Sequence, residues 1–185
     1  MDLKPLFEPQ TMAMIGIPAT NDRHPANVIY AKNKNRYPLE VYGVNPKGGP
    51  WHGETIYADV TDLPEKIDLA VIAVKADAVP DVLVDCAAAG VGGAAVISGG
   101  FTEVGRQDLQ DRLAAIAREA SMPLIGPNCL GIYVPSRVDT FFLPSERMVK
   151  PRRGNVTFVS QSGGILGEVM LRVCLLYTSD AAADL

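Results

Sequence analysis

The chain has 185 residues, of which 48% are hydrophobic and 21% are charged. This composition is typical of a compact globular protein and excludes a disordered or fibrous chain. The length allows one complete domain and part of a second. A formal net charge of -4 excludes a nucleic acid as the main partner, because phosphate backbones are bound mainly by clustered Lys and Arg.

The sequence also predicts neither a membrane contact nor a metal site. No run approaches the roughly 18 apolar residues of a membrane-spanning helix, and Asp2, Lys4 and Glu8 interrupt the start of the chain, unlike a signal peptide. The three cysteines are widely separated without a CxxC pair, and His24 and His52 are the two histidines. We therefore expect a cytoplasmic protein with reduced thiols.

Short apolar runs alternate along the chain with longer segments of helical spacing. Five runs bounded by Gly, Pro, Asn or Asp predict buried strands, namely Met12–Ile17, Val41–Val44, Leu69–Val74, Ala94–Ile97 and Leu124–Ile125. Three segments predict helices, namely Ala26–Asn35, Ala78–Ala89 and Gln107–Ala120. This alternation predicts an α/β fold with a doubly wound, mainly parallel, Rossmann-like sheet, whose ligands lie beyond the carboxyl ends of the strands.

The pattern changes after residue 135. Pro135, Pro144 and Pro151 and a basic cluster over residues 150–153 predict a linker, residues 136–153, between a first domain, residues 1–135, and a second. A predicted strand, Asn155–Val159, and a helix from Ile165 then restart the same pattern, so residues 154–173 are interpreted as the truncated start of a second α/β domain. Residues 174–185 resemble translated sequencing-adapter read-through and are predicted to be a non-native tail.

The first predicted strand is followed by a loop without the G-x-G-x-x-G fingerprint, which lowers the case for a classical NAD or FAD site. Backbone amides at the start of the next helix can still bind phosphate, and the candidate residues here are Gly16, Ala19, Thr20 and Asn21. The alternative is an ordinary turn with a helix cap.

Lys47 follows the second predicted strand, where NAD-binding domains usually place an acidic residue that binds the ribose hydroxyls. A cation at this position favours a phosphorylated ribose, which both NADP and coenzyme A (CoA) carry. The alternative is a solvated lysine in a turn.

The loops after the third and fourth predicted strands hold further candidates for ligand binding, namely Val74, Lys75, Ala76, Ser98, Gly99 and Gly100. Glycines at the end of a strand admit a ligand close to the backbone, although they can equally be turn glycines. Cys129 lies in the loop after the fifth strand. Because no histidine is near it in sequence, we interpret it as a structural thiol rather than a nucleophile.

Five segments together resemble one protein family, namely Ala13–Gly16, Val44–Lys47 and the three more specific ones that follow. Asp68–Val74, Val96–Gly105 and Gly126–Gly131 are similar in sequence, order and spacing to the CoA-binding domain of NDP-forming acyl-CoA synthetases, which include ADP-forming acetate–CoA ligase and, more distantly, the succinyl-CoA synthetase α subunit. In this family the CoA nucleotide lies over the loops after the first four strands. The first loop departs from the family, which commonly has Gly-Ala-Ser and a later Pro and Gly.

The resemblance implies further properties of the complete enzyme. It implies a flavodoxin-like second domain, with Ser162, Gly163 and Gly164 as a possible phosphate site at a helix start, although Ser162 can be only a cap. The family interconverts acyl-CoA, ADP and phosphate with a carboxylic acid, CoA and ATP through an acyl phosphate and a phosphohistidine. That histidine lies beyond this chain, so no catalytic residue is expected here.

The resemblance also implies partners and leaves two alternatives open. The complete enzyme uses ATP or ADP with Mg, an ATP-grasp domain or subunit supplies the nucleotide site, and oligomers are common in the family. One alternative is a non-catalytic CoA-binding module, or the related region of a protein acetyltransferase. The other is an NADP-binding oxidoreductase domain, against which the missing fingerprint argues.

Overall fold

The computed structural model describes residues 1–18, 21–143 and 150–180, with the backbone alone from residue 173. In chain order its strands are β1 Thr11–Ile15, β2 Glu40–Val44, β3 Gly49–Trp51, β4 Glu54–Tyr57, β5 Leu69–Ile72, β6 Gly93–Val96, β7 Leu124–Ile125, β8 Tyr133–Val134 and β9 Val138–Asp139. The helices are α1 Lys4–Phe7, α2 Pro25–Arg36, α3 Val79–Ala88, α4 Gln107–Glu119 and α5 Gly163–Asp180.

Seven of these strands form one sheet in the order β3-β4-β2-β1-β5-β6-β7, and all neighbours pair in parallel except β3 with β4. The predicted doubly wound α/β fold is therefore confirmed. From β1 the chain passes to β2 and β4 on one side, and then crosses to β5 on the other side. The direction of winding reverses between β1 and β5, which is where ligands of such sheets bind.

Both faces of the sheet are covered, which explains why its central strands are apolar on consecutive residues. In β1, Met12 and Met14 pack with Ile29 and Tyr30 of α2 in one core cluster. Ala13 and Ile15 pack on the opposite face, in the cluster that includes Leu83 of α3 and Leu113 of α4, because successive residues of a strand point to opposite faces.

Two features of the fold differ from the sequence-based expectations. The predicted strand Asn155–Val159 was wrong: the structure assigns no strand there, and Val156 and Val159 are 86% and 89% exposed. A strand needs a neighbour to pair its backbone groups, and the sheet pairings among the described residues include none for this segment. The unpredicted hairpin β3–β4 extends the sheet beyond β2.

The segment predicted as a linker begins with ordered structure. Strands β8 and β9 form an antiparallel hairpin, and Val138, Asp139, Thr140 and Phe141 are buried against the first domain. The division of the chain at residue 135 stays a prediction. Among the described residues, no helix has the length and hydrophobicity that crossing a bilayer requires.

Candidate functional site

The loops after β1 and β5 meet at the point where the winding reverses. Gly16 directly follows β1 and has a φ of +100°, a backbone conformation that residues with a side chain rarely adopt. A Cβ atom at Gly16 would lie 2.6 Å from the carbonyl oxygen of Ala73, which is closer than real Cβ contacts allow. A glycine is therefore required for the two loops to approach each other.

The loops after β5 and β6 are joined in turn. The Ser98 hydroxyl donates a hydrogen bond of 2.5 Å to the carbonyl of Val74. Gly100, with a φ of +108°, lies against Ala76, whose Cβ would be 3.0 Å from a Cβ at Gly100. Lys75 is exposed and precedes a short 3-10 helix, Ala76–Ala78. The structure thus brings the predicted residues of these two loops onto one edge of the sheet.

Lys47 lies at the same edge, in the turn after β2. Its backbone N–H donates to the Asn45 side chain at 2.9 Å, and the Asn45 amide donates to the carbonyl of Ile17 at 2.6 Å. The Lys47 side chain is exposed and makes no hydrogen bond or ion pair within the part of the chain that the structure describes. Its ammonium is therefore available to an anionic ligand.

Glu103 occupies two backbone donors of the loop after β6. Its carboxylate accepts hydrogen bonds from Gly100 N–H at 2.5 Å and from Phe101 N–H at 3.2 Å. The hydrogen bond from Gly100 is the main reason that the pKa of Glu103 is lowered. Since the Gly100 N–H is already bonded, Gly100 offers a ligand an open backbone surface rather than a free donor.

The start of α2 borders the loop after β1. His24 caps the helix, and its Nδ1 accepts the N–H of Ala26 at 3.2 Å. The buried amide of Asn27 donates to the carbonyls of Pro18 and Asn21 at 2.9 and 2.8 Å, so both described ends of this loop are held by one side chain. Two predicted binding residues, Ala19 and Thr20, lie outside the described residues.

A cleft of about 700 Å³ opens beside this edge. Its lining includes His24, Ser98 and Asn128, and on its apolar side Leu130 and Phe142. The start of α5 forms the opposite wall, with Gly163, Gly164 and Glu168. Gly163 and Gly164, which the sequence predicts to bind phosphate, and Ser98 of the loop after β6 therefore line the same cleft.

Ser162 acts as a helix cap in the structure. Its hydroxyl accepts the N–H of Ile165 at 3.3 Å, and its own N–H donates to Ser160 at 3.1 Å. This is the alternative role that the sequence left open for Ser162. A phosphate-binding role for Ser162, Gly163 and Gly164 stays a prediction.

Cys129 lines the cleft as a protonated thiol. Its Sγ lies 3.2 Å from the carbonyl oxygen of Val96, and burial raises its pKa to about 11. A thiol with this pKa carries almost no thiolate at neutral pH and is a poor nucleophile. Among the described residues no group of three or more His, Cys, Asp or Glu side chains forms a metal site.

Four residues of this region were missed in the sequence, namely His24, Asn45, Glu103 and Phe142. An Asn directly before Pro46 is a known turn signal, so Asn45 could have been found. Glu103 could also have been found, because a carboxylate a few residues after a glycine can accept hydrogen bonds from the backbone N–H groups of that turn. Phe142 has no local signal, because it lies in the predicted linker and reaches the cleft only through the β8–β9 hairpin.

Comparisons with known proteins agree with this geometry. A family model described as a CoA binding domain matches residues 10–135. The ADP-forming acetate–CoA ligase of Methanocaldococcus jannaschii is 36% identical over 173 residues, which cover 91% of this chain and 23% of that protein. The α subunit of ADP-forming acetate–CoA ligase I from Pyrococcus furiosus is 35% identical, over 89% of this chain and 36% of that subunit.

A solved structure is similar over the same region. Dinucleotide-forming acetyl-coenzyme A synthetase 1 from Ca. Korarchaeum cryptofilum, in complex with phosphate and ADP, superposes with a TM-score of 0.80 and 35% identity, over 91% of this chain and 36% of that one. The chain therefore spans between 23% and 36% of the length of these relatives. The family resemblance seen in the sequence is confirmed.

Proposed function

The chain belongs to the family of CoA-binding domains, and from this premise we propose that it is the CoA-binding part of an ADP-forming acyl-CoA synthetase. The observation that carries the proposal is the edge of the sheet where the loops after β1, β2, β5 and β6 meet. This edge combines close backbone approach at Gly16 with the Lys47 ammonium, which has no partner among the described residues. Both suit a phosphorylated nucleotide.

We assign the CoA nucleotide to this edge of the sheet, which we call the nucleotide edge, because the edge carries positive charge and exposed backbone. Lys47 would bind the phosphate on the adenosine ribose, because its exposed ammonium has no partner in the described ranges and so gives up no ion pair there when it binds. The exposed Lys75 adds a second cation, and Gly99 adds exposed backbone. The full proposed set is Gly16, Ala19, Thr20, Asn21, Lys47, Val74, Lys75, Ala76, Ser98, Gly99 and Gly100.

The proposed reaction of the complete enzyme is the interconversion of acyl-CoA, ADP and phosphate with a carboxylic acid, CoA and ATP. Bound CoA would supply the thiol that becomes acylated. We place the phosphohistidine of this reaction outside the chain, because neither His24 nor His52 lies where the family resemblance puts it. The chain by itself would therefore bind CoA without turnover, and Ser162, Gly163 and Gly164 would contribute to a phosphate site.

The proposal includes partners that the chain does not contain. An ATP-grasp domain or subunit would bind ATP or ADP with Mg, and a relative that is itself described as an α subunit supports a division of the enzyme between chains. We further propose an oligomeric assembly in the cytoplasm. The acid substrate would occupy the cleft between the nucleotide edge and α5, since this cleft has both polar and apolar walls.

Calorimetric titration of the purified chain with CoA, dephospho-CoA and NADP tests the proposal. We expect CoA to bind about tenfold or more tightly than dephospho-CoA, because a charge-assisted hydrogen bond to the ribose phosphate is lost in the latter. Lys47→Met should remove this difference. Equal affinities of the wild-type chain for the two ligands would remove the role of Lys47, and tighter binding of NADP would favour the oxidoreductase alternative.

A further inference from the structure

The carboxamide of Asn45 joins two of the loops that meet at the nucleotide edge. Its Nδ2 donates to the carbonyl oxygen of Ile17 at 2.6 Å, in the loop after β1. Its Oδ1 accepts the N–H of Lys47 at 2.9 Å, in the turn after β2. One rigid planar group therefore fixes the position of the Lys47 backbone relative to the first loop.

The backbone of Asn45 is held just as firmly. Its N–H donates to the carbonyl of Tyr57 at 2.9 Å, which ties it to β4, and its carbonyl accepts the N–H of Gly48 at 2.8 Å, which closes the turn. The backbone N–H, the backbone carbonyl and both polar atoms of the Asn45 side chain thus each make a hydrogen bond. Because the Lys47 side chain has no partner of its own within the described ranges, this anchored turn is what determines where its ammonium can reach.

Among residues of this size, asparagine suits the position because it donates and accepts at the same time. An aspartate keeps the acceptor for Lys47 but has no N–H for Ile17. A serine can also accept an N–H two residues ahead, although more weakly, but it is too short to span the gap to the first loop. Ile17 is 1% exposed, so its carbonyl has little access to water as a replacement donor.

We propose that Asn45 is a positioning residue that sets Lys47 against the loop after β1 and thereby determines the discrimination between CoA and dephospho-CoA. The inference rests on the proposed function, because it requires that the ribose phosphate of CoA binds at Lys47. Asn45 acts through Lys47 and the loop, without a contact of its own to the phosphate. It therefore affects the ratio of the two affinities and not only their absolute values.

The test is a double-mutant cycle with calorimetric affinities for CoA and dephospho-CoA. We expect the affinity ratio, about tenfold or more in the wild-type chain, to fall in Asn45→Ser and to approach one in Asn45→Ala and in Lys47→Met. The double variant Asn45→Ala/Lys47→Met should lose no further discrimination, because both changes remove the same interaction. Asn35→Ala, an exposed asparagine of α2, is the matched control and should keep the ratio.

The outcomes separate this inference from the function on which it rests. If Asn45→Ala and Asn45→Ser weaken both ligands by the same factor and leave the ratio unchanged, Asn45 is merely structural and the inference fails while the proposed function stands. If the wild-type chain binds neither ligand, the proposed function fails and the inference fails with it. Far-UV circular dichroism of each variant checks folding, and Asn45→Ser supplies the ratio if Asn45→Ala does not fold.

Discussion

The ammonium of Lys32 lies 2.8 Å from the carboxylate of Asp139, with the two side chains 4% and 0% exposed. Lys32 is in the middle of α2, and Asp139 ends the hairpin strand β9, so this buried ion pair fixes the hairpin to the first domain. Lys150 also pairs with Asp139. Asn33 adds two hydrogen bonds, since its Nδ2 donates to the Asp139 carbonyl at 2.7 Å and its Oδ1 accepts the Asp139 N–H at 3.0 Å.

We predict that Asp139→Asn lowers the free energy of unfolding by about 3–5 kcal/mol, because it leaves a buried ammonium without its counter-ion. Burial already lowers the pKa of Lys32, and Asp139 opposes that effect, so the variant removes the main group that keeps Lys32 charged. Urea denaturation followed by circular dichroism measures the change.

The matched control is Glu54→Gln. The Lys34–Glu54 pair is just as short, at 2.7 Å, but its side chains are 32% and 41% exposed. Exposed pairs contribute little, so we expect a change within about 1 kcal/mol. Equal costs for Asp139→Asn and Glu54→Gln would contradict the importance given to burial.

We predict that Gly16→Ala destabilises the protein by about 2–4 kcal/mol and weakens CoA binding. The new Cβ would lie 2.6 Å from the Ala73 carbonyl oxygen, so the loop after β1 would have to move, in addition to the strain of a positive φ. Thermal unfolding and CoA titration measure the two effects.

Gly53→Ala isolates the steric part of this prediction. Gly53 also has a positive φ, +84°, but nothing lies within 4 Å of a Cβ placed there. Its substitution should cost only the backbone strain, about 1–2 kcal/mol, with CoA affinity unchanged. If the two alanine variants behaved alike, the close approach of the loops after β1 and β5 would not be what requires glycine at position 16.

We predict that Cys129 is alkylated slowly in the folded protein. With a pKa raised to about 11 from 9.0, its thiolate fraction at pH 8 is about 100-fold below that of an ordinary cysteine. Iodoacetamide labelling with peptide mapping by mass spectrometry measures the rate, and the urea-unfolded chain is the reference. Equal rates in the folded and unfolded chain would refute the protonated, partly buried thiol.

The raised pKa of Cys129 also predicts how stability changes at alkaline pH. The folded state retains the thiol proton over a range where the unfolded state has lost it, so the contribution of Cys129 to stability is complete below pH 9 and is lost as the pH rises through about 11. Cys129→Ser should make this fall shallower. Unfolding free energies measured between pH 8 and 11 compare the two chains.

We predict that the loop after β6 loses its internal hydrogen bonds in acid. The pKa of Glu103 is lowered from 4.5, chiefly by the Gly100 N–H, so the folded state favours the carboxylate. Its contribution is complete above the ordinary pKa and is lost as the pH falls through the lowered folded value. The amide chemical shift of Gly100, followed by NMR, should titrate with a midpoint below 4.5, and Glu103→Gln should abolish that titration.

The sequence by itself determined the architecture and the edge that carries the proposed site. Strands β1, β5 and β6 are apolar on consecutive residues because helices cover both faces of the sheet, and this local property is visible without coordinates. The chain order of strands and helices implies parallel pairing, and so predicts that Lys47, Ser98 and Gly100 follow strands at one edge.

The tertiary structure alone decided how these parts are connected. Asn45 reaches Ile17 across 28 positions, and Lys32 reaches Asp139 across 107, distances in sequence at which no periodic pattern relates two residues. A lysine in a helix is expected on the surface, and Lys32 is buried because β9 brings Asp139 to it. Hydrophobic spacing determines which face of an element is buried, whereas the pairing of individual polar groups is settled only when distant segments pack together.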